Sequence, residues 1–151
     1  MEEQMARRLV AAEGKKLQQA GLVARTWGNI SCRIDENHFV ITPSGLDYET
    51  MTAVDLVLMD IRNGVCCGAH KPSSEKGVHL AAYQTFPEVG YVIHTHQTYA
   101  TAIGLCGFEQ LAMTEEEAEK LGGIARAAYG LSSTEKLAGA VYDCLLYTSP
   151  S

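Results

Sequence analysis

The part of this chain with the clearest capacity for chemistry is a pair of imidazoles separated by one residue, His94-Thr95-His96. They follow the apolar run Val89, Tyr91, Val92 and Ile93, which reads as a buried strand. On a strand, residues i and i+2 point to one face with backbones about 6–7 Å apart, a separation that two ligands of one small cation can close. Imidazole nitrogen suits Zn²⁺ better than Mg²⁺ or Ca²⁺. The alternative is two histidines satisfied by ordinary hydrogen bonds at a strand end. Upstream, Ser73-Ser74-Glu75 precedes a run with helical periodicity. Glu75 there is either a first-turn carboxylate balancing the helix dipole or a general base beside a metal. Ser73 and Ser74 read as capping residues or, at a helix start, as anion ligands. The second reading requires Gly28-Asn29 and Ser44-Gly45 to converge on the same place; alone, Thr42-Pro43-Ser44-Gly45 reads as a plain turn, with an anion-cradling loop as the alternative.

The elements that must position these residues follow from pattern. A helix is predicted over 2–20, with Met5, Leu9, Val10, Leu17 and Ala20 on one face and Gly21 as its stop. Ile30, Cys32 and Ile34 alternate as a strand, and Asp35-Glu36-Asn37 turns it into His38–Ile41 as a hairpin. Residues 47–55 read as a short helix or turn, and Leu56–Ile61 as a buried strand ending at Arg62-Asn63-Gly64. A helix over Lys76–Thr85 takes Ser74 as its N-cap, carries His79 and Tyr83 one turn apart, and is stopped by Pro87. Three further helices are predicted over 97–105, 113–121, where Glu115-Glu116-Glu117 crowd the first turn, and 132–141.

Composition narrows the class of function. A chain of 151 residues, 46% hydrophobic and 20% charged, describes one ordinary globular domain and excludes disordered and collagen-like classes. Twelve basic against 18 acidic residues, a net charge of −6 and no Lys/Arg cluster argue against nucleic acid as a partner, so an anionic ligand must be held by local geometry. The N-terminal stretch MEEQMARRLVAAEGKK lacks the apolar core of a signal peptide, and no apolar run reaches membrane-spanning length; a cytoplasmic protein with no membrane partner is expected. The five cysteines, at 32, 66, 67, 106 and 144, are odd in number and fit reduced thiols better than a disulfide framework.

Four segments, TWGNIS (26–31), ITPSGLDYE (41–49), KPSSE (71–75) and HTHQTYAT (94–101), stand in the order and spacing of the class II aldolase/adducin family, which the chain resembles from about Met1 to Tyr142. That resemblance implies an α/β fold, three layers α/β/α around a mostly antiparallel sheet, assembled as a homotetramer with sites at subunit interfaces. It matches Gly28, Asn29, Ser44, Gly45, Ser73 and Ser74 to the phosphate-binding positions of a sugar phosphate, His94 and His96 to two zinc ligands, and Glu75 to the catalytic acid/base. The implied reaction is zinc-dependent retro-aldol cleavage of a ketose phosphate to dihydroxyacetone phosphate and an aldehyde, with no Schiff-base lysine.

An L-ribulose-5-phosphate 4-epimerase is the alternative: epimerases of the family carry Asp where Glu75 stands, yet TWGN and the pattern of Asp47, Tyr48, Met51 and Thr52 look closer to them. A non-catalytic, adducin-like assembly domain is the second alternative, and the intact Glu75/His94/His96 set argues against it. The family takes a third zinc-binding histidine from a His-Gly motif after the paired imidazoles, and no histidine follows His96. The expectation is therefore a domain over 1–142 lacking its C-terminal part, with 143–151 (beginning Asp143, Cys144) an unrelated tail. His79 could substitute as a ligand but reads better as packed against the sheet. For the family's catalytic tyrosine, Tyr99 and Tyr129 are the available candidates.

Overall fold

The first helix, α1 (Glu3–Gln19), begins where the Glu2 carboxylate accepts hydrogen bonds from the Gln4 and Met5 N–H groups at 3.0 and 3.1 Å. The structure, a computed structural model, describes residues 1–107, 112–121 and 124–148. The helix covers the expected residues, and its buried face is the expected one only in part: Val10 is buried and Leu17 packs against the core. Ala6, Val10, Ala11 and Gly14 point inward while Met5 stands 55% exposed. Small side chains let the helix approach its neighbours closely: a Cβ added at Gly14 would lie 2.6 Å from the Tyr48 ring.

The sheet has five strands, β1 (Asn29–Arg33), β2 (His38–Ile41), β3 (Val57–Asp60), β4 (Cys66–Cys67) and β5 (Tyr91–His94), in the order β4-β3-β2-β1-β5. Every pairing is antiparallel. The predicted hairpin joins β1 to β2 with Ser31 opposite Ile41 and Cys32 opposite Val40, and the Asp35 carboxylate closes the turn by accepting from the Asn37 and His38 N–H groups at 2.7 and 2.8 Å. β4 was not expected; its two cysteines, Cys66 and Cys67, are exposed thiols.

Alternation along the strands builds two cores, one on each face of the sheet. Ile30, Cys32 and Val40 pack with α1, Tyr48, Met51 and Leu56 on one face. Phe39, Ile41, Val57, Met59 and Ile61 pack on the other with Tyr83 from α2 (Lys76–Thr85). Each fully buried large side chain contributes roughly 1.5–3 kcal/mol of transfer free energy. With α5 (Glu135–Thr148) laid on α2, the expected α/β/α layering is what forms.

α2 has the expected bounds but not the expected cap. Its first residue is preceded by Glu75, and the Ser73 hydroxyl accepts from the Glu75 N–H at 3.3 Å while the Ser73 carbonyl accepts from Lys76 at 3.1 Å. Ser74 is therefore exposed rather than spent as an N-cap. α3 (Thr98–Leu105) is capped by the Gln97 side chain, and α4 (Glu115–Leu121) by a reciprocal Thr114–Glu117 pair. α5 starts three residues later than predicted and runs through Tyr142 to Thr148; the rest of the expected tail, 149–151, lies outside the described residues. Among the described residues no helix is long and apolar enough to cross a membrane.

Candidate metal and anion site

Hydrogen bonds between loops bring the distant motifs together. The Thr42 hydroxyl accepts from the Ile30 N–H at 3.2 Å, the Thr42 carbonyl from the Ser73 N–H at 3.1 Å, and the Lys71 carbonyl from the Ser44 N–H at 2.9 Å. The start of β1, the loop after β2 and the loop before α2 are thereby stitched into one wall. Gly28, Asn29, Ser44, Gly45, Ser73, Ser74, Glu75 and His96 all line a single cavity of about 370 Å³, together with Thr26, Trp27, Pro43 and Ser132. The convergence on which the anion reading depended is present.

Among the described residues the cavity wall carries no Lys or Arg, so an anion there would meet hydroxyls, N–H groups and the start of α2. The Ser44 and Ser73 N–H groups are already bonded within the protein, which leaves those residues their side chains to offer. The N–H groups of Gly45 and Ser74 have no acceptor among the described residues, and nothing lies within 4 Å of where a Cβ on Gly45 would stand. Gly45 adopts φ +75° and Gly28 φ +83°, both in the left-handed region.

Gly28 has the tighter surroundings: a Cβ there would lie 2.7 Å from Val23 Cγ1 and 2.8 Å from the His94 carbonyl. Gly28→Ala is expected to destabilise the fold by about 2 kcal/mol through strained backbone and a displaced β5 end. Urea denaturation checks this, and a loss under about 0.5 kcal/mol would contradict it.

On the inner side of the cavity, ligand atoms of Glu75, His94 and His96 all lie within 4.8 Å of one another. The two imidazole rings stand 4.9 Å apart, and His96 also leans on the Trp27 ring at 5.8 Å. His94 Nδ1 is 2.7 Å from Glu75 Oε2, an ion-pair distance, yet the pair lacks hydrogen-bond angles and the nitrogen is buried without a hydrogen-bond partner. A buried nitrogen without a hydrogen-bond partner, set beside a carboxylate oxygen, is compatible with two ligands of one cation. Burial holds the His94 imidazole below its usual pKa, with the Glu75 carboxylate opposing that shift, so the ring is neutral and able to ligate. Two imidazole nitrogens and one carboxylate oxygen form a donor set that could hold a metal ion such as zinc.

Glu75 itself is 7% exposed and held on both oxygens. Ser132 donates to Oε1 at 2.7 Å and the Asn29 amide nitrogen to Oε2 at 3.4 Å. Asn29 belongs to a ladder between β1 and α2. Asn29, Ser31 and Arg33, two residues apart on the strand, meet Glu75, His79 and Tyr83, four apart on the helix, because two strand residues advance about 6.7 Å and four helical residues about 6 Å. Arg33 completes it by donating to the Tyr83 and Phe86 carbonyls at the end of α2, at 2.7 and 3.0 Å.

His79 therefore packs in the helix–sheet interface, bonded to Asn29 and Ser31, and does not join the metal group. Burial, aided by the neighbouring His94 imidazole, pushes its pKa down to about 3. The unfolded chain protonates His79 near 6.5 and the folded one does not, so stability present above that pH is lost as pH falls from about 6.5 toward 3, by about 1.4 kcal/mol per unit. His94 acts in the same sense. Unfolding free energy that stays flat between about pH 6.5 and 4.5 would contradict this.

Ser132, read from sequence only as a helix start, is a site residue that pattern could not find: 57 positions separate it from Glu75. Tyr99 and Tyr129, 76% and 79% exposed, are not on the cavity wall.

A profile for the Class II Aldolase and Adducin N-terminal domain matches residues 8–150. Among solved structures, an L-fuculose 1-phosphate aldolase is 31% identical with a TM-score of 0.82, over 93% of this chain and 67% of that one. An L-fuculose-1-phosphate aldolase from Thermus thermophilus is 26% identical, TM-score 0.76, over 93% and 71%. YgbL from Escherichia coli, a candidate aldolase, epimerase or decarboxylase, shares the fold at 23% identity and TM-score 0.85, over 93% and 70%.

Proposed function

The chain belongs to the class II aldolase and adducin family, and from that membership we propose that it is a zinc-dependent lyase that cleaves a ketose phosphate to dihydroxyacetone phosphate and an aldehyde. The observation that carries this reading is the meeting of the anion cradle with Glu75 and His96 in one cavity, with His94 directly against Glu75.

In the proposed reaction the phosphate sits among Gly28, Asn29, Ser44, Gly45, Ser73 and Ser74, and its binding orients the distant carbon–carbon bond. Zinc held by His94 and His96, with Glu75 as a third donor, supplies a Lewis acid for the ketose oxygens. Glu75 takes the proton released as the bond breaks and returns it to the ketose-derived carbon. Its near-complete burial and its bonds to Ser132 and Asn29 fix the carboxylate for that transfer. Among the described residues no lysine lines the cavity, which accords with a route without a Schiff base. A homotetramer, as the family resemblance implies, and a cytoplasmic location, the expectation from the N-terminal composition, are part of the same proposal.

The epimerase reading is weakened by packing. Tyr48 and Met51, part of the pattern that favoured it, are 2% and 1% exposed core residues beneath α1, and burial pushes the Tyr48 pKa up to about 12. Their identity is set by the core. Incubation with ketose 1-phosphates and pentulose 5-phosphates separates the readings: triose phosphate release is expected, and inversion at C4 without cleavage would overturn the aldolase in favour of the epimerase. An absence of both reactions, with metal bound at neither histidine, would leave the adducin-like reading.

A further inference from the structure

His79 is fully buried, contributes no atom to the metal group, and yet is tied by a chain of side chains to the carboxylate that the proposed reaction uses. The proton on each link can be assigned from chemistry. Glu75 Oε2 only accepts, so the Asn29 amide must present its nitrogen to it, at 3.4 Å, and its oxygen to His79. That oxygen also only accepts, so His79 carries its proton on Nε2. A neutral ring then has Nδ1 free to accept, and the Ser31 hydroxyl 2.6 Å away donates to it. Ser31 oxygen in turn accepts from the Tyr83 hydroxyl at 2.7 Å. Every hydrogen bond thus runs in one direction, Tyr83 to Ser31 to His79 to Asn29 to Glu75, and such chains strengthen each member.

We propose that His79 is a positioning residue of this site: as its Nε2–H tautomer it locks the Asn29 amide with nitrogen, not oxygen, toward Glu75. Without it the amide is free to turn over and set its oxygen against the carboxylate, a repulsive contact that releases Glu75 from its place. Ser31 and Tyr83 act one and two links further out by fixing the tautomer. The inference rests on the reading of Glu75 as the proton carrier, and its test has an arm that does not depend on that reading.

The spectroscopic arm is the ¹⁵N NMR spectrum of the His79 ring in the intact protein at neutral pH. Protonation at Nε2 is expected, and protonation at Nδ1 would overturn the proposal. The kinetic arm compares His79→Leu with His79→Gln, whose amide nitrogen reaches the place of Nε2 and can still donate to Asn29. His79→Leu is expected to lower kcat by about 10–100-fold with KM changed less than about threefold, and His79→Gln to recover most of that loss. A folded His79→Leu protein with unchanged kcat, or equal losses in both variants, would overturn it. Should His79→Leu not fold, Ser31→Ala, which removes only the hydroxyl that feeds Nδ1, is expected to lower kcat about tenfold, and an unchanged value would overturn the proposal. If the protein cleaves no ketose phosphate, the reading of the reaction falls, while the His79 assignment stands or falls on the tautomer alone.

Discussion

Glu75→Gln is expected to lower kcat for ketose phosphate cleavage by about 10²–10⁴-fold, the range a general acid/base contributes, while KM stays within a few fold. The substitution keeps the side chain's volume in a site where Glu75 is 7% exposed, so packing against Asn29 and Ser132 is little disturbed. What it removes is the ability to take and return a proton, together with the negative charge of the third metal donor, so the variant is assayed with zinc in excess. The phosphate cradle lies on other residues, and ground-state binding should survive. Steady-state kinetics on a folded variant decide the matter. A kcat within about tenfold of the parent would remove Glu75 from the role given to it, and a large rise in KM with kcat unchanged would make it a binding residue instead.

The second large effect belongs to His94. His94→Ala takes one of three donors from the group that closes to within 4.8 Å, and zinc affinity should fall by more than about 10²-fold, since loss of a mere supporting contact already costs about 10–100-fold. Activity should fall with it. The metal-free protein should behave differently: His94 Nδ1 is buried without a hydrogen-bond partner, so its removal relieves an unsatisfied group and the apo fold should lose little stability, less than about 1 kcal/mol. Elemental analysis and urea denaturation of the apo-protein read the two halves separately. One equivalent of zinc retained by the variant would place the metal elsewhere, and a severe loss of apo stability would make His94 a structural residue.

The sequence carried the periodic features well. Apolar alternation gave the β1–β2 hairpin and β3, and helical spacing with Pro87 gave both ends of α2. It placed Val10 and Leu17 correctly on the inner face of α1 but misjudged the rest, because hydrophobicity weighs Met5 above Ala6 and Gly14, whereas the contact with Tyr48 selects for smallness. It missed β4 because two residues held by β3 carry no pattern of their own. At the site, residue types were legible and their alliances were not. Attention to Ile30 and Cys32 as the apolar face of β1 passed over Ser31 and Arg33 on the other, the face that reaches α2, and took Asn29 only for a phosphate-binding position, not for the link to Glu75 and His79. The tie from Ser132 to Glu75 and the stitching of Thr42 to Ser73 are long-range matters of tertiary packing. The resemblance supplied roles for the cradle residues, and the shared cavity is what the fold adds to it.

The most direct test of a metal-dependent aldolase is the release of dihydroxyacetone phosphate from a ketose 1-phosphate before chelation, after chelation and after zinc is restored. Release that is abolished by the chelator and recovered with about one equivalent of zinc per chain is the predicted result. Release that continues undiminished after the metal has been stripped would contradict the account.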